Sequence, residues 1–258
     1  MMQTLKSFRI LFVNLSAPLL VGQFLLLSLM ACSTIDKKSD TPEGAFSIAE
    51  EFDKDERYEE AVRRYTEVKN KFPYSNFATK AELAIADVYY KQESYPESQV
   101  SYQTFREMHP KHPQIDYVVF RIGMSYYNQL PSSLDRDLSV AQEVVTTFDE
   151  LMKRFPTSQY INEAAEKKLA TLKMLAGKEE YIANFYFKRE MFDSALPRYE
   201  SLIFKYKNLG FDEKAYYGAA VSANKIGDFF KAKKYLAELV TKYPKSSEAE
   251  QAQREIKL

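Results

Sequence analysis

The sequence predicts an all-α chain: a solenoid of five helix pairs closed by a C-terminal capping helix. Three observations predict it. A phrase beginning with an aromatic residue and ending at an X-Pro step recurs along the chain. Within each copy, small and large residues are spaced by three and four, which places them on one helix face. The small positions also recur at a fixed interval. Ala49, Ala86, Gly123, Ala183 and Ala220 are 37, 37, 60 and 37 residues apart, and a fixed period of this size marks stacked supersecondary units.

The elements follow in order. Thr41 reads as an N-cap and Pro42 as the first helical residue of pair one, which carries Ala49 and Phe52. Its second helix runs from Tyr58 to Phe72-Pro73 with Ala61, Tyr65 and Val68 on one face. Pair two repeats this with Ala86 and Tyr89, then Tyr95 to His109-Pro110 with Ser98, Tyr102 and Phe105. Pair three has Gly123 and Tyr126, then Val144, Phe148 and Leu151 before Pro156. The excess spacing locates two insertions, nine residues around Pro131 to Ser139 and about fourteen between pairs three and four. Pair four has Ala183 and Tyr186, then Ala195, Tyr199 and Leu202, with no proline at Tyr206-Lys207. Pair five has Ala220 and Ala223, then Phe229 to Tyr243-Pro244 with Ala232, Leu236 and Leu239. Ser246 or Ser247 is expected to cap a last helix reaching Leu258, whose charged face (Glu248, Glu250, Gln251, Arg254) suits a solvent-facing end. The organisation is pairs one to three over residues 42–156, and a linking helix, pairs four and five and the cap over 157–258.

The physical reason is direct. A small residue lets the neighbouring helix approach and a large one fills the space beside it. One pair cannot bury its apolar face, but a stack makes a continuous core.

Residues 1–31 differ from the rest. They contain Lys6 and Arg9, no acid, and an apolar stretch from Ile10 ending Leu29-Met30-Ala31 before Cys32, the one cysteine of the chain. This is the layout of a secretory signal peptide, and its ending resembles a bacterial lipobox, with lipidation expected on Cys32. The alternative, an uncleaved membrane helix, is opposed by Asn14, Pro18 and Gln23 within a span barely long enough for a ~30 Å bilayer. Several acyl chains on one cysteine would make a lasting anchor. Ser33, where an aspartate would favour retention at the inner membrane, points to the periplasmic face of the outer membrane of a Gram-negative bacterium. Residues 32–41 read as a lipidated tether.

Composition excludes several functions. The 258-residue chain has 36 basic and 36 acidic residues, and loss of Lys6 and Arg9 leaves the remainder slightly acidic, which is no charge for gripping nucleic acid. His109 and His112, the two histidines, are separated by prolines and joined by no third ligand, so neither metal nor cofactor is expected. Glu59-Glu60 and Glu179-Glu180 read as solvated helix faces rather than as an acid–base pair. Seven glycines build no phosphate loop. Catalysis is not expected. The 19 tyrosines against no tryptophan are mostly packing residues, but Tyr74, Tyr90, Tyr117, Tyr127, Tyr160 and Tyr217 fall outside the repeat code and are candidates for a concave binding face.

Ala, Tyr and Phe at these spacings resemble the tetratricopeptide signature, which implies a right-handed superhelical solenoid of five tetratricopeptide-like helix pairs plus the C-terminal capping helix. More specific phrases resemble the BamD (ComL/YfiO) family of outer-membrane assembly lipoproteins. They are residues 110–126, Asp135-Arg136-Asp137 with Phe155-Pro156, and Glu180-Tyr181-Ile182-Ala183-Asn184-Phe185-Tyr186 followed by Arg189, Ala195 and Arg198. The resemblance covers essentially the whole chain. It implies a non-catalytic adaptor whose C-terminal repeats bind the POTRA domains of the barrel protein BamA. It implies N-terminal repeats that receive unfolded outer-membrane β-barrel proteins through a C-terminal targeting segment, and accessory Bam lipoproteins as further partners. Arg198 takes the position of a family arginine at the BamA contact, where a guanidinium can pair with a partner carboxylate. Two departures stand out: a shorter insertion from Asn128 to Asp137, and Glu190-Met191-Phe192 in place of an Arg-Gly-aromatic turn. A surface glycan- or nutrient-binding lipoprotein and a cell-envelope scaffold share the repeat fold and are the competing readings.

Overall fold

Proline sets where the second helices stop. The structure, a computed structural model, describes residues 39–256. The residue before each proline leaves helical geometry: Phe72 lies at φ −129°, ψ 53°, His109 at −126°, 54°, Phe155 at −130°, 59° and Tyr243 at −131°, 55°. Proline's ring denies the α region to the residue ahead of it, so four copies end alike. The copy without proline ends by other means. After Tyr206 the chain turns through Asn208 and Gly210, both at positive φ, and the Asp212 carboxylate accepts from the Asn208 N–H at 3.0 Å.

Eleven helices lie among the described residues. They are α1 (Pro42–Lys54), α2 (Tyr58–Lys71), α3 (Asn76–Lys91), α4 (Tyr95–Met108), α5 (Ile115–Asn128), α6 (Ala141–Arg154), α7 (Ile161–Lys188), α8 (Phe192–Lys205), α9 (Asp212–Lys225), α10 (Phe229–Lys242) and α11 (Ser247–Glu255). Each helix packs on the next, and first helices also meet across pairs, α1 on α3, α5 on α7 and α7 on α9. Those contacts put the first helices on the inner side of the stack and the second helices outside. The fold is an all-helical solenoid of five pairs and a cap. Thr41 Oγ1 accepts from the Gly44 N–H at 3.1 Å, and Ser246 Oγ does the same for Ala249. The cap is shorter than expected: α11 stops at Glu255, and Ile256 leaves the helix to bury itself in the core.

The first helices end by a common device. The N–H of Arg57, Ser94, Met191 and Asp228 bonds back to the carbonyl of Phe52, Tyr89, Tyr186 and Ala223. This six-to-one closure needs one left-handed residue, and Glu56, Glu93, Glu190 and Gly227 supply it at φ 57°, 61°, 59° and 83°. Glu190 therefore holds a left-handed conformation that glycine adopts more readily.

Packing follows the small positions. Ala49, Ala61, Ala86, Ser98, Val144, Ala183, Ala195, Ala220 and Ala232 are fully buried. At Gly123 a Cβ would stand 2.4 Å from the Phe148 ring, so only glycine admits that helix contact. Gly218 plays the same part under Tyr199, at 2.3 Å. The large positions Tyr65, Tyr102, Phe148 and Tyr199 are buried as expected. Pair five shifts by one residue: Tyr235 rather than Leu236 is buried, its hydroxyl donating to Glu200 at 2.6 Å. The first-helix aromatics Phe52, Tyr89, Tyr126 and Tyr186 are half-buried.

The two insertions support each other. The fourteen extra residues lengthen α7 to 28 residues, and the loop 129–140 folds onto it. Leu134 lies where a side chain on Gly177 would be, and Lys178 Nζ donates to the Arg136 carbonyl at 3.3 Å.

Candidate functional site

Three places on the solenoid have the makings of a site. The first is an apolar groove of about 370 Å³ between pairs one and two, on the side of the second helices. Its floor is Ile85 of α3 and buried Phe105 of α4; its wall is Val100, Ser101, Thr104 and Met108. Val100 and Met108 are 57% and 60% exposed, so α4 shows water an apolar edge that an amphipathic helix ordinarily covers. Lys69 and Glu82 stand at the rim. Glu82 Oε2 is engaged by His109 Nε2 at 2.6 Å, which leaves Lys69 as the rim's cation. Sequence periodicity does not mark this groove, because Val100 and Met108 lie off the face that Ser98, Tyr102 and Phe105 define.

The second place lies at the junction of pairs two and three, on the first-helix side. Asp87 Oδ1 accepts from the Tyr102 hydroxyl at 2.5 Å and the Tyr117 hydroxyl at 2.6 Å. Arg121 Nε donates to the Tyr117 oxygen at 3.1 Å, and its guanidinium covers the Tyr90 ring at 4.4 Å. Asn128 Nδ2 donates to Tyr90 Oη at 3.0 Å. Burial raises the Asp87 carboxyl above the ordinary carboxylate range, against the opposing pull of the two hydroxyls and of Arg121 and Lys91. Burial also pushes the Tyr117 hydroxyl up to about 12, helped by the Asp87 charge. A fully satisfied buried network of this kind fixes the register of the elements that contribute to it. It is a structural joint rather than a reactive site.

Three of the candidate tyrosines are thus committed internally. Tyr90 and Tyr117 belong to the joint, and Tyr160 stacks on Phe120 at 4.7 Å and 12°. Tyr217 accepts from Gln251 Nε2 at 2.7 Å and ties α9 to α11. The Tyr127 ring has Lys167 Nζ 5.4 Å away. Tyr74 alone of the six is fully exposed, and it sits in the turn between α2 and α3, away from any groove.

The third place is the outer part of pair four. Arg198 on α8 is 44% exposed, and its Nη1 lies 3.3 Å from both carboxylate oxygens of Glu179 on α7. An exposed pair of this type contributes only ~0.2–1 kcal/mol, so a partner carboxylate can take the guanidinium at little cost. Nearby on α7, Tyr181 and Phe185 are exposed, with Arg189 over the Phe185 ring at 3.7 Å. Sequence periodicity missed both, since each is part of an apolar run that reads as core. Cys32 lies outside the described residues.

The remaining candidates are packing and surface groups. His109 and His112 close on the Phe105 ring at 4.7 and 5.1 Å. Glu60 is held at about 2 by its hydrogen bond to Arg63, within a surface network that includes Arg64 and Glu67. Glu180 Oε1 lies 3.5 Å from Lys214 Nζ. Among the described residues no three His, Cys, Asp or Glu side chains converge on a metal position, and no helix is long and apolar enough to cross a membrane.

Residues 38–216 match a family described as outer membrane lipoprotein, YfiO, and residues 214–246 match a tetratricopeptide repeat. An outer membrane protein assembly factor BamD of Neisseria meningitidis serogroup A is 29% identical over 85% of this chain and 89% of its own. The BamD of Rickettsia prowazekii is 27% identical over 78% and 80%, and that of Vibrio cholerae 23% over 55% and 63%. Solved repeat proteins superpose loosely. The TPR2AB domain of yeast Sti1 gives a TM-score of 0.42 at 15% identity, covering 83% of each chain. Pseudomonas aeruginosa pilF gives 0.38 at 13%, covering 92% of each.

Proposed function

Because the chain belongs to the outer membrane lipoprotein family that residues 38–216 match, we propose that it is an assembly factor for outer-membrane β-barrel proteins. On this reading it works by binding, without catalysis, from the periplasmic face of the outer membrane, held there by lipid on Cys32. The two ends of the solenoid have separate partners. Pair four presents Arg198, Tyr181 and Phe185 to the POTRA domains of a BamA-type barrel protein. Arginine and tyrosine are among the residues from which interface hot spots are built.

The observation that carries the substrate half of the proposal is the groove between pairs one and two. An unfolded barrel protein offers alternating apolar side chains and a chain-terminal carboxylate. Val100, Ile85 and Met108 accept the first, and the Lys69 ammonium at the rim suits the second. Accessory Bam lipoproteins are further partners on this reading.

Co-purification from detergent-solubilised membranes tests the proposal. The intact lipoprotein is expected to bring down the BamA-type protein. Arg198→Glu, which sets two carboxylates side by side at position 179, is expected to reduce that recovery at least tenfold with helicity and melting unchanged. Recovery of no barrel protein would overturn the adaptor role, and undiminished recovery would remove Arg198 from the contact.

A further inference from the structure

Pair five carries an apolar tip that none of the described residues covers. Ile226, Phe229 and Phe230 are 45%, 60% and 82% exposed, clustered at the turn from α9 into α10. Single exposed hydrophobics are ordinary, but three within five residues, two of them phenylalanine, form a patch. Their surroundings are cationic. Lys225, Lys233 and Lys234 are exposed beside them, and the only acid from 225 to 237, Asp228, accepts from the Lys231 N–H as the helix cap. Lys231 itself pairs with Glu200 at 2.9 Å.

The equivalent turns elsewhere carry an exposed acid, although that of pair four also exposes Met191 beside Lys188 and Arg189. They expose Asp55 and Glu56 in pair one, Glu93 in pair two and Glu190 in pair four. In pair five the left-handed position is Gly227, and the acid is gone. These turns all lie on one edge of the solenoid, where each first helix passes into its second helix.

We propose that the α9–α10 turn is a membrane contact, in which Phe229, Phe230 and Ile226 enter the headgroup region of an anionic bilayer while Lys225, Lys233 and Lys234 face its phosphates. The tip projects outward, so it suits a soft interface that closes around it. The ring of lysines matches the surface potential of anionic lipid, which attracts such clusters over about a Debye length. Apolar insertion together with surface charge is the combination that holds interfacial segments on membranes. The contact lies at the opposite end of the solenoid from residue 39, and it is confined to the pair-five turn, since the acids exposed at the other turns would be repelled by anionic lipid.

The test uses the full-length lipoprotein reconstituted into phosphatidylethanolamine vesicles with or without phosphatidylglycerol. A photo-crosslinking phenylalanine analogue replaces Phe230, and in a second protein it replaces Tyr74, which is fully exposed on the opposite edge. The proposal expects lipid adducts at position 230 severalfold above those at 74. That excess should fall severalfold when phosphatidylglycerol is omitted, or in the K233Q/K234Q variant. Adduct yields at 230 no higher than at 74 would overturn the proposal, as would an excess indifferent to phosphatidylglycerol. Adducts at 230 to a second copy of the chain instead of lipid would overturn it too, and assign the tip to self-association.

Discussion

Pairs two and four place a buried tyrosine over the same position of their first helix, and they use different partners. Tyr102 donates to Asp87 in pair two and Tyr199 to Asn184 in pair four, at 2.5 and 2.8 Å. Both residues of each couple are displaced by the same 97 positions. The neutral amide serves one hydroxyl. The carboxylate oxygen serves two, because Tyr117 reaches it from the next pair, with Arg121 behind. A repeat position that needs only a hydrogen-bond acceptor has become, in pair two, a charged joint to the following pair. Asp87 couples neighbours, whereas Asn184 finishes its own pair.

The largest effect should come from removing the acceptors. Asp87→Ala orphans two hydroxyls, Tyr102's being fully buried, and should cost about 2–4 kcal/mol. Asn184→Ala orphans one and should cost about 1–2 kcal/mol. Urea denaturation of both variants checks the ranking, and equal losses would dissolve the distinction between joint and local bond.

Converting one arrangement to the other is gentler. Asp87→Asn keeps an oxygen for both hydroxyls and should change stability near neutral pH by less than about 1 kcal/mol. Its signature is in the pH dependence. The folded chain holds the Asp87 proton more tightly than the unfolded chain does. That contribution is fully present below the ordinary carboxylate value, about 3.9, and is lost as pH rises through the folded value. Relative to Asp87→Asn, the native chain should therefore lose stability as pH climbs from that point. A stability difference that is flat across the acid range would show that burial does not govern this carboxyl.

The smallest effects belong to the turns. Glu93 and Glu190 sit at equivalent left-handed positions. Glycine there would relieve a cost of about 1–2 kcal/mol while adding about 0.5–1 kcal/mol of chain entropy. Glu93→Gly and Glu190→Gly should each be neutral to about 1 kcal/mol stabilising, by thermal melting. A marked loss in either would mean that the carboxylate itself supports its turn.

What the sequence made legible was whatever repeats with a sign that composition preserves. Ala49, Ala61, Ala86 and their kin are small and periodic, and Pro73, Pro110, Pro156 and Pro244 break helices by geometry alone. Leu236 was mistaken for the buried residue because pair five slips its phase by one, and periodicity cannot detect a slip that leaves large residues at both positions. The tyrosines were harder. Tyr90, Tyr117 and Tyr160 looked available because the repeat code did not require them, yet inter-pair contacts absorb all three. Asp87 reads as a solvated helix acid until two hydroxyls from other helices arrive, and no local pattern encodes that meeting. The groove was invisible for another reason, since Val100 and Met108 fall off the repeat face and an isolated apolar residue on a helix's outer side carries no pattern. Arg198 was singled out by resemblance alone, and its pairing with Glu179 across two helices came only with the fold.

On the proposed function, the two ends of one arm hold different partners. Photo-crosslinking in intact cells, with the reactive residue placed at Met108 in one strain and at Arg198 in another, tests it most directly. Position 108 should capture newly made outer-membrane barrel proteins and position 198 the BamA-type protein, each with little of the other. The same partner at both positions, or no barrel substrate at 108, would overturn the division of partners between the two ends.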